Sequence, residues 1–168
     1  MDNRITALFI VGMSVSAGVG WFAHRPPQRP LGLVATSLSI ETALDAARTA
    51  TTACAGSQVG VSIIDASGQP KLFYVADGTA GNHAFMAFMK AHTALAFNMP
   101  SGKVHEMSRR DMALAARLFT GSDFMTYAGG VTITRGSQTI GALGVSGAPQ
   151  SSKDEECALA ALKSINAR

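Results

Sequence analysis

His83 and His92 stand nine residues apart in a stretch, Asp77 to Ser101, that also carries Phe85, Met86, Phe88, Met89, Leu95 and Phe97. Imidazoles in apolar surroundings can ligate a metal or move a proton, and they can equally sit in a core with a backbone partner. Lys90 adds a cation one near-repeat after His83, while at 100° per residue His92 falls almost opposite. Met86, Met89 and Met99 offer thioethers at helical spacing, or simply fill space. Tyr127, just ahead of Gly129-Gly130, offers a phenol or packs. His24 and His105 lie on polar stretches and carry little weight.

The element that must position both imidazoles is a helix, starting after the glycine-rich loop at Asp77-Gly78 and stopping at Met99-Pro100. Its large apolar side chains are spread around the axis instead of forming one stripe. That predicts a helix covered on both flanks, by the domain core on one side and by a neighbouring subunit or an apolar ligand on the other. Ahead of it, Ser39 is a good N-cap with Glu41 in the first turn, and Ala43, Leu44, Ala47, Ala50 and Cys54 share a face, giving a helix over 39–56. Val59 to Asp65 and Lys71 to Asp77 are β-rich runs joined by Ala66-Ser67-Gly68-Gln69-Pro70, a hairpin. Ser108 to Phe119 gives a short helix with a stripe of Met112, Ala115, Ala116 and Phe119. A second hairpin turns at Arg135-Gly136-Ser137-Gln138, and Ser152 with Glu155 forms a capping box for the last helix. The order α-β-β-α-α-β-β-α predicts one antiparallel sheet covered by helices, an α+β domain.

Ile5 to Phe22 holds no charged residue and about reaches the length of a bilayer span, behind Arg4. Val15-Ser16-Ala17 suits a signal peptidase, whereas the continuation through Val19, Trp21 and Phe22 to Arg25 suits an uncleaved anchor. Residues 1–23 are therefore read as a signal peptide or membrane anchor, 24–37 as a stiff proline-rich linker and 38–168 as the domain. Either reading puts the domain in the periplasm or outside the cell, or anchored at the inner membrane facing the periplasm. The membrane would be met only through the N-terminal segment. A net charge of +3, with scattered cations and no basic run interleaved with aromatics, excludes nucleic acid as the expected partner. Cys54 and Cys157 form an even pair that an exported chain can bridge, though Cys54 lies on an apolar stripe and also suits a buried thiol. There is no C-x-x-C, H-E-x-x-H or phosphate-binding loop. Gly144-Val145-Ser146-Gly147-Ala148 stops one residue short of a nucleophile elbow and reads as a tight turn, and Asp65 and Asp77 read as turn caps.

Several of these pieces, in this order, resemble the GlcG/HbpS-like haem-binding family, which includes the C-terminal domain of PduO-type proteins. They are Leu38-Ser39-Ile40, Val61-Ser62-Ile63-Ile64-Asp65-Ala66-Ser67-Gly68, Asp77-Gly78, Lys90-Ala91 with Thr93-Ala94, Pro100-Ser101, Gly129-Gly130, Ile140 to Gly147, and Asp154 to Ala158. One departure is Gly129-Gly130-Val131-Thr132, where relatives carry Gly-Gly-x-Pro. The resemblance implies a profilin-like sandwich, self-association into dimers or larger rings, and haem bound by an exported protein. It also implies terminal helices close enough to approach Cys54 to Cys157. Haem needs an apolar slot, an iron donor and a cation near its propionates. His83 and His92 are the candidate iron ligands, Met86 and Tyr127 further lining donors, and Lys90 a candidate propionate contact whose default is solvent. The function so implied is an exported haem- or tetrapyrrole-binding protein in haem or iron sensing or handling, a homo-oligomer, with no catalytic residue assigned. The alternatives are a cofactor-free oligomeric interaction module and a small enzyme of hydroxy-acid or aldehyde metabolism.

Overall fold

The computed structural model describes residues 38–79 and 81–166; the expected leader and linker over 1–37 lie outside them. Ser39 opens the first helix, its Oγ accepting from the Thr42 N–H at 3.1 Å, and α1 runs Ile40–Ala53. The buried face of α1 is all alanine, Ala43, Ala46, Ala47 and Ala50, small enough for a second helix to pack closely. That neighbour is the last helix, Ser151–Asn166. Cys54, the C-cap of α1, is joined to Cys157 of the last helix by a disulfide with Cα atoms 5.6 Å apart, so the buried-thiol alternative falls.

The two hairpins form where the turn chemistry places them. β1 (Gly60–Asp65) and β2 (Pro70–Val75) make the first, β3 (Gly130–Arg135) and β4 (Gln138–Ser146) the second. In the first turn Asp65 Oδ1 accepts from the Ser67 N–H at 2.8 Å, the Ser67 hydroxyl at 2.6 Å and the Gln69 N–H at 3.1 Å. Partial burial works against the ionised carboxyl, but these donors and Lys71 outweigh it and hold Asp65 below its ordinary value. The sheet is antiparallel in the order β2-β1-β4-β3, the hairpins meeting along β1 and β4 with Gly60 opposite Ser146 and Asp65 opposite Gly141. Alternation then sorts the side chains. Val61, Ile63, Val131, Ile133, Leu143 and Val145 join α1 and the last helix in the main core, while Ile64 and Ala142 face the organising helix α2, His83–Phe97.

Between the hairpins stand three helices: α2, a short α3 (Ser101–Ser108) and α4 (Met112–Thr120), with the last helix then α5. The added α3 comes from the break after α2. Asn98 takes the left-handed C-cap conformation at φ 50°, and Pro100 then presents its carbonyl to Lys103 and Val104 to start a new helix.

Two helix faces are set by residues that their own periodicity does not show. In α2 the fully buried residues are Ala87, Lys90, Ala91, Thr93 and Ala94, while its large apolar side chains are half-buried or exposed, Phe88 and Leu95 among them packing against the cluster of Ile64 and Ala142. The cause is glycine in the sheet beneath. A Cβ on Gly60 would strike the His83–Ala84 backbone, on Gly130 the Lys90 carbonyl and on Gly144 the Ala87 carbonyl. Backbone lies on backbone, and no phenyl ring fits between. Replacing Gly144 with alanine is therefore expected to lower stability by about 1–3 kcal/mol, as overpacking does, seen as a lower urea midpoint at unchanged slope. An unshifted midpoint would mean that α2 can lift freely. In α4 the stripe of Met112, Ala115, Ala116 and Phe119 is not the packing face: Met112 is 83% and Phe119 92% exposed. Leu114, Ala115 and Leu118 are the half-buried residues, and no residue of α4 is fully buried.

Candidate functional site

Because α2 rests on glycine through its alanines, its outer side carries an aromatic row at helical spacing, Phe85, Phe88 and His92. The Phe85–Phe88 and Phe88–His92 centroids are each 6.0 Å apart, with planes 22° and 17° from parallel. Other elements extend the row. Phe73 of β2 lies 5.8 Å from Phe88, and Phe124, after α4, stacks on the far side of His92 at 5.5 Å. Phe97 meets Phe124 edge-on, and the Arg117 guanidinium sits 5.5 Å over the Phe97 ring. Phe73, Phe85 and Val75 remain 43–55% exposed, so this face is open apolar surface as well as packing.

His92 is held between two phenyl rings with no hydrogen bond to either nitrogen, and its Nδ1 is buried. The reading of His92 as a core histidine with a backbone partner is therefore not met. Its Cδ2 and Nε2 look toward Gly68 of the first turn, 3.8 and 3.9 Å from where a Cβ would stand. With Nδ1 unengaged no protein partner fixes the tautomer, which leaves Nε2 as the ring atom able to meet an outside group. His83 also has a buried, unbonded Nδ1, but its ring lies against Gly147, Cγ 3.3 Å from a Cβ built there. Nine residues of helix separate the two imidazoles by a rise of about 13.5 Å on nearly opposite sides. They do not converge on one iron atom. Among the described residues no three His, Cys, Asp or Glu side chains gather as a metal site.

Lys90 is corrected by its surroundings. Its side chain is 3% exposed, and Nζ donates to Asp154 Oδ2 at 2.7 Å and to the Val145 carbonyl at 3.1 Å. The lysine reaches from α2 to α5 past Gly129, whose φ of +124° requires glycine and whose missing Cβ would lie 3.1 Å from Nζ. Burial pulls its pKa below the ordinary lysine value, and the hydrogen bond and charge of Asp154 oppose that. Asp154 Oδ1 also accepts from the Ala148 N–H at 2.9 Å. The ammonium is thus committed to the fold, neither solvated nor available to a propionate. Tyr127 is 61% exposed, its ring 6.1 Å from His105 in a cleft with Thr126 and Glu155, away from the aromatic row. Met86 is half-buried on the flank of α2. Phe73, Phe124 and Arg117 are not among the sequence candidates; the first lies in a run read only as a strand, and no motif marks the other two.

A four-stranded antiparallel sheet with α1 and α5 on one face and α2 on the other defines a profilin-like α+β sandwich. The chain belongs to the HbpS-like family: the model described as haem-degrading protein HbpS-like matches residues 38–163. Among solved structures it is similar to HbpS, at 28% identity over 76% of this chain and 89% of that one, with a TM-score of 0.70. An HbpS double mutant from Streptomyces reticuli matches at 26% identity over 96% of this chain and 98% of that one, with a TM-score of 0.68. A PduOC–haem complex matches at 25% identity over 77% and 96%, with a TM-score of 0.71. No curated protein matches the chain.

Proposed function

We propose that this protein is an exported haem- or tetrapyrrole-binding protein that handles haem or iron, and that the ligand lies on the aromatic face of α2 with His92 as the iron ligand. The observation that carries the reading is His92 itself, an imidazole with no protein partner in the middle of a row of flat apolar rings. Family membership and the similarity to a PduOC–haem complex support the choice of haem over other flat ligands. Arg117, at the end of the row, takes the propionate role that Lys90 cannot fill. His83, on the opposite side of the helix, is outside the site. Bound haem would supply a redox-active iron, while this chain's residues supply stacking surface, a nitrogen donor and a cation. The open side of Phe73, Val75 and Phe85 favours a second copy of the chain as the cover, and hence a homo-oligomer. The disulfide favours an oxidising compartment, consistent with an export signal in residues 1–23.

Titration with hemin is expected to give a saturable Soret shift. His92→Ala should weaken binding by about tenfold or more, ~1.4 kcal/mol, and His83→Ala should leave it within about twofold. A reversed pattern would move the iron to His83, and the absence of a saturable shift in the unaltered protein would end the haem reading.

A further inference from the structure

A second open apolar surface lies on α4, on the side of that helix opposite Arg117 of the proposed haem site. Met112, Ala116 and Phe119 follow one another at i, i+4 and i+7, so they form one ridge of the helix. Met112 is 83% and Phe119 92% exposed, while Leu114 and Leu118, on the opposite side, are half-buried. At the N-terminal end of the ridge the α3–α4 corner adds Met107, 47% exposed, with Arg109 and Arg110 beside it. Neither guanidinium has an ion-pair partner among the described residues. Two carboxylates share the corner, Glu106, paired with Lys103 at 3.0 Å, and Asp111, whose Oδ1 accepts from the Ala113 and Leu114 N–H groups, so that with Lys103, Arg109 and Arg110 the cations exceed the anions by one. Arg117 is turned away onto Phe97 and takes no part.

We propose that this corner, Arg109-Arg110 with the Met107, Met112 and Phe119 ridge, docks on an anionic lipid surface. Charge and shape point the same way. Two unpaired guanidiniums beside exposed apolar side chains match phosphate headgroups over acyl chains, the pattern of a helix lying in a membrane interface. The apolar part is a convex ridge one helix wide, which a fluid surface can mould around, whereas a protein partner would need a groove cut to fit. No described helix is long and apolar enough to cross a membrane, so the contact is at the surface only. It adds a membrane contact in the folded domain to whatever residues 1–23 provide.

The test needs a local readout, because the N-terminal segment can itself bind vesicles. Full-length protein is oxidised with dilute peroxide and the rate at Met112 is read by peptide mass, with Met86 as the internal reference. Vesicles of phosphatidylcholine with phosphatidylglycerol should slow oxidation of Met112 several-fold, and vesicles of phosphatidylcholine alone should not. High salt, Arg109→Gln with Arg110→Gln, and Phe119→Ser should each restore the free rate; each lost guanidinium weakens partitioning about fivefold. Protection without vesicles that grows with protein concentration would show a second copy on the ridge and overturn the proposal. So would equal protection by both kinds of vesicle, or none by either.

Discussion

Replacing Lys90 with methionine is expected to cost about 3–5 kcal/mol of stability, and Asp154→Leu about the same, because each leaves the other charge buried without its counter-ion. The geometry allows no easy escape. Lys90 Nζ has only Asp154 and the Val145 carbonyl as partners, and Asp154 keeps only the Ala148 N–H once the lysine is gone. Both side chains are almost wholly enclosed, 3% and 4% exposed, so water cannot replace the missing ion. The double replacement, Lys90→Met with Asp154→Leu, should recover most of the loss, since an apolar pair of similar volume removes the desolvation cost of both ions. Urea midpoints of the three variants measure this as a double-mutant cycle. Single variants within about 1 kcal/mol of the parent would place the pair in the class of surface ion pairs and contradict its burial.

A pH dependence follows from the same pair. Burial lowers the pKa of Lys90 in the folded protein below 10.5, with Asp154 opposing the shift. Between the folded and unfolded values the unfolded chain binds more protons, so stability rises with pH across that window and falls as pH drops through the folded value. In Asp154→Asn the opposing charge is gone, the folded value drops further and the window widens toward neutral pH. That variant should regain stability on alkalinisation, whereas Lys90→Met should not.

How much of this was legible in the sequence depended on how local its cause is. The Ser39 cap and the Asp65 turn involve partners within four residues, and the first helix and the hairpins formed where those signals stood. The capping box read at Ser152 and Glu155 is not the start of the last helix: α5 begins at Ser151, with the Gln150 carbonyl accepting from the Lys153 and Asp154 N–H groups. Which side of α2 meets the sheet was not legible, because the deciding residues are Gly60, Gly130 and Gly144, on three strands distant in sequence. The ridge of α4 was inverted for a related reason: two leucines and a Met/Ala/Phe stripe are both apolar, and periodicity cannot say which of them meets the domain. Lys90 read as a surface cation because its counter-ion lies 64 residues away behind a glycine window. His92 could be placed on the right helix but not between Phe88 and Phe124, since Phe124 arrives from a loop beyond α4. The candidate site is therefore half visible in sequence, its helix and imidazole present but the rings that frame it not.

Reduction of Cys54–Cys157 is expected to lower stability by about 2–5 kcal/mol, the second large effect. The bond closes a sequence separation of 103 residues that contains the whole sheet and α2 to α4. In the chain-entropy account a loop of that order removes about 4.7 kcal/mol worth of freedom from the unfolded chain. The native side adds little that could replace it, because α1 and α5 meet through alanines, which give close approach but small apolar area each. Both sulfurs belong to fully buried residues, so reductant should act on the folded protein only through opening, and the rate of thiol release should track unfolding as urea is raised. Reduced parent and Cys54→Ala with Cys157→Ala should show matching losses apart from a small cavity contribution. Were the reduced protein to keep its urea midpoint, the residual order of its unfolded chain would have to be as great as the bridge imposes, and the α1–α5 layer would hold on packing alone.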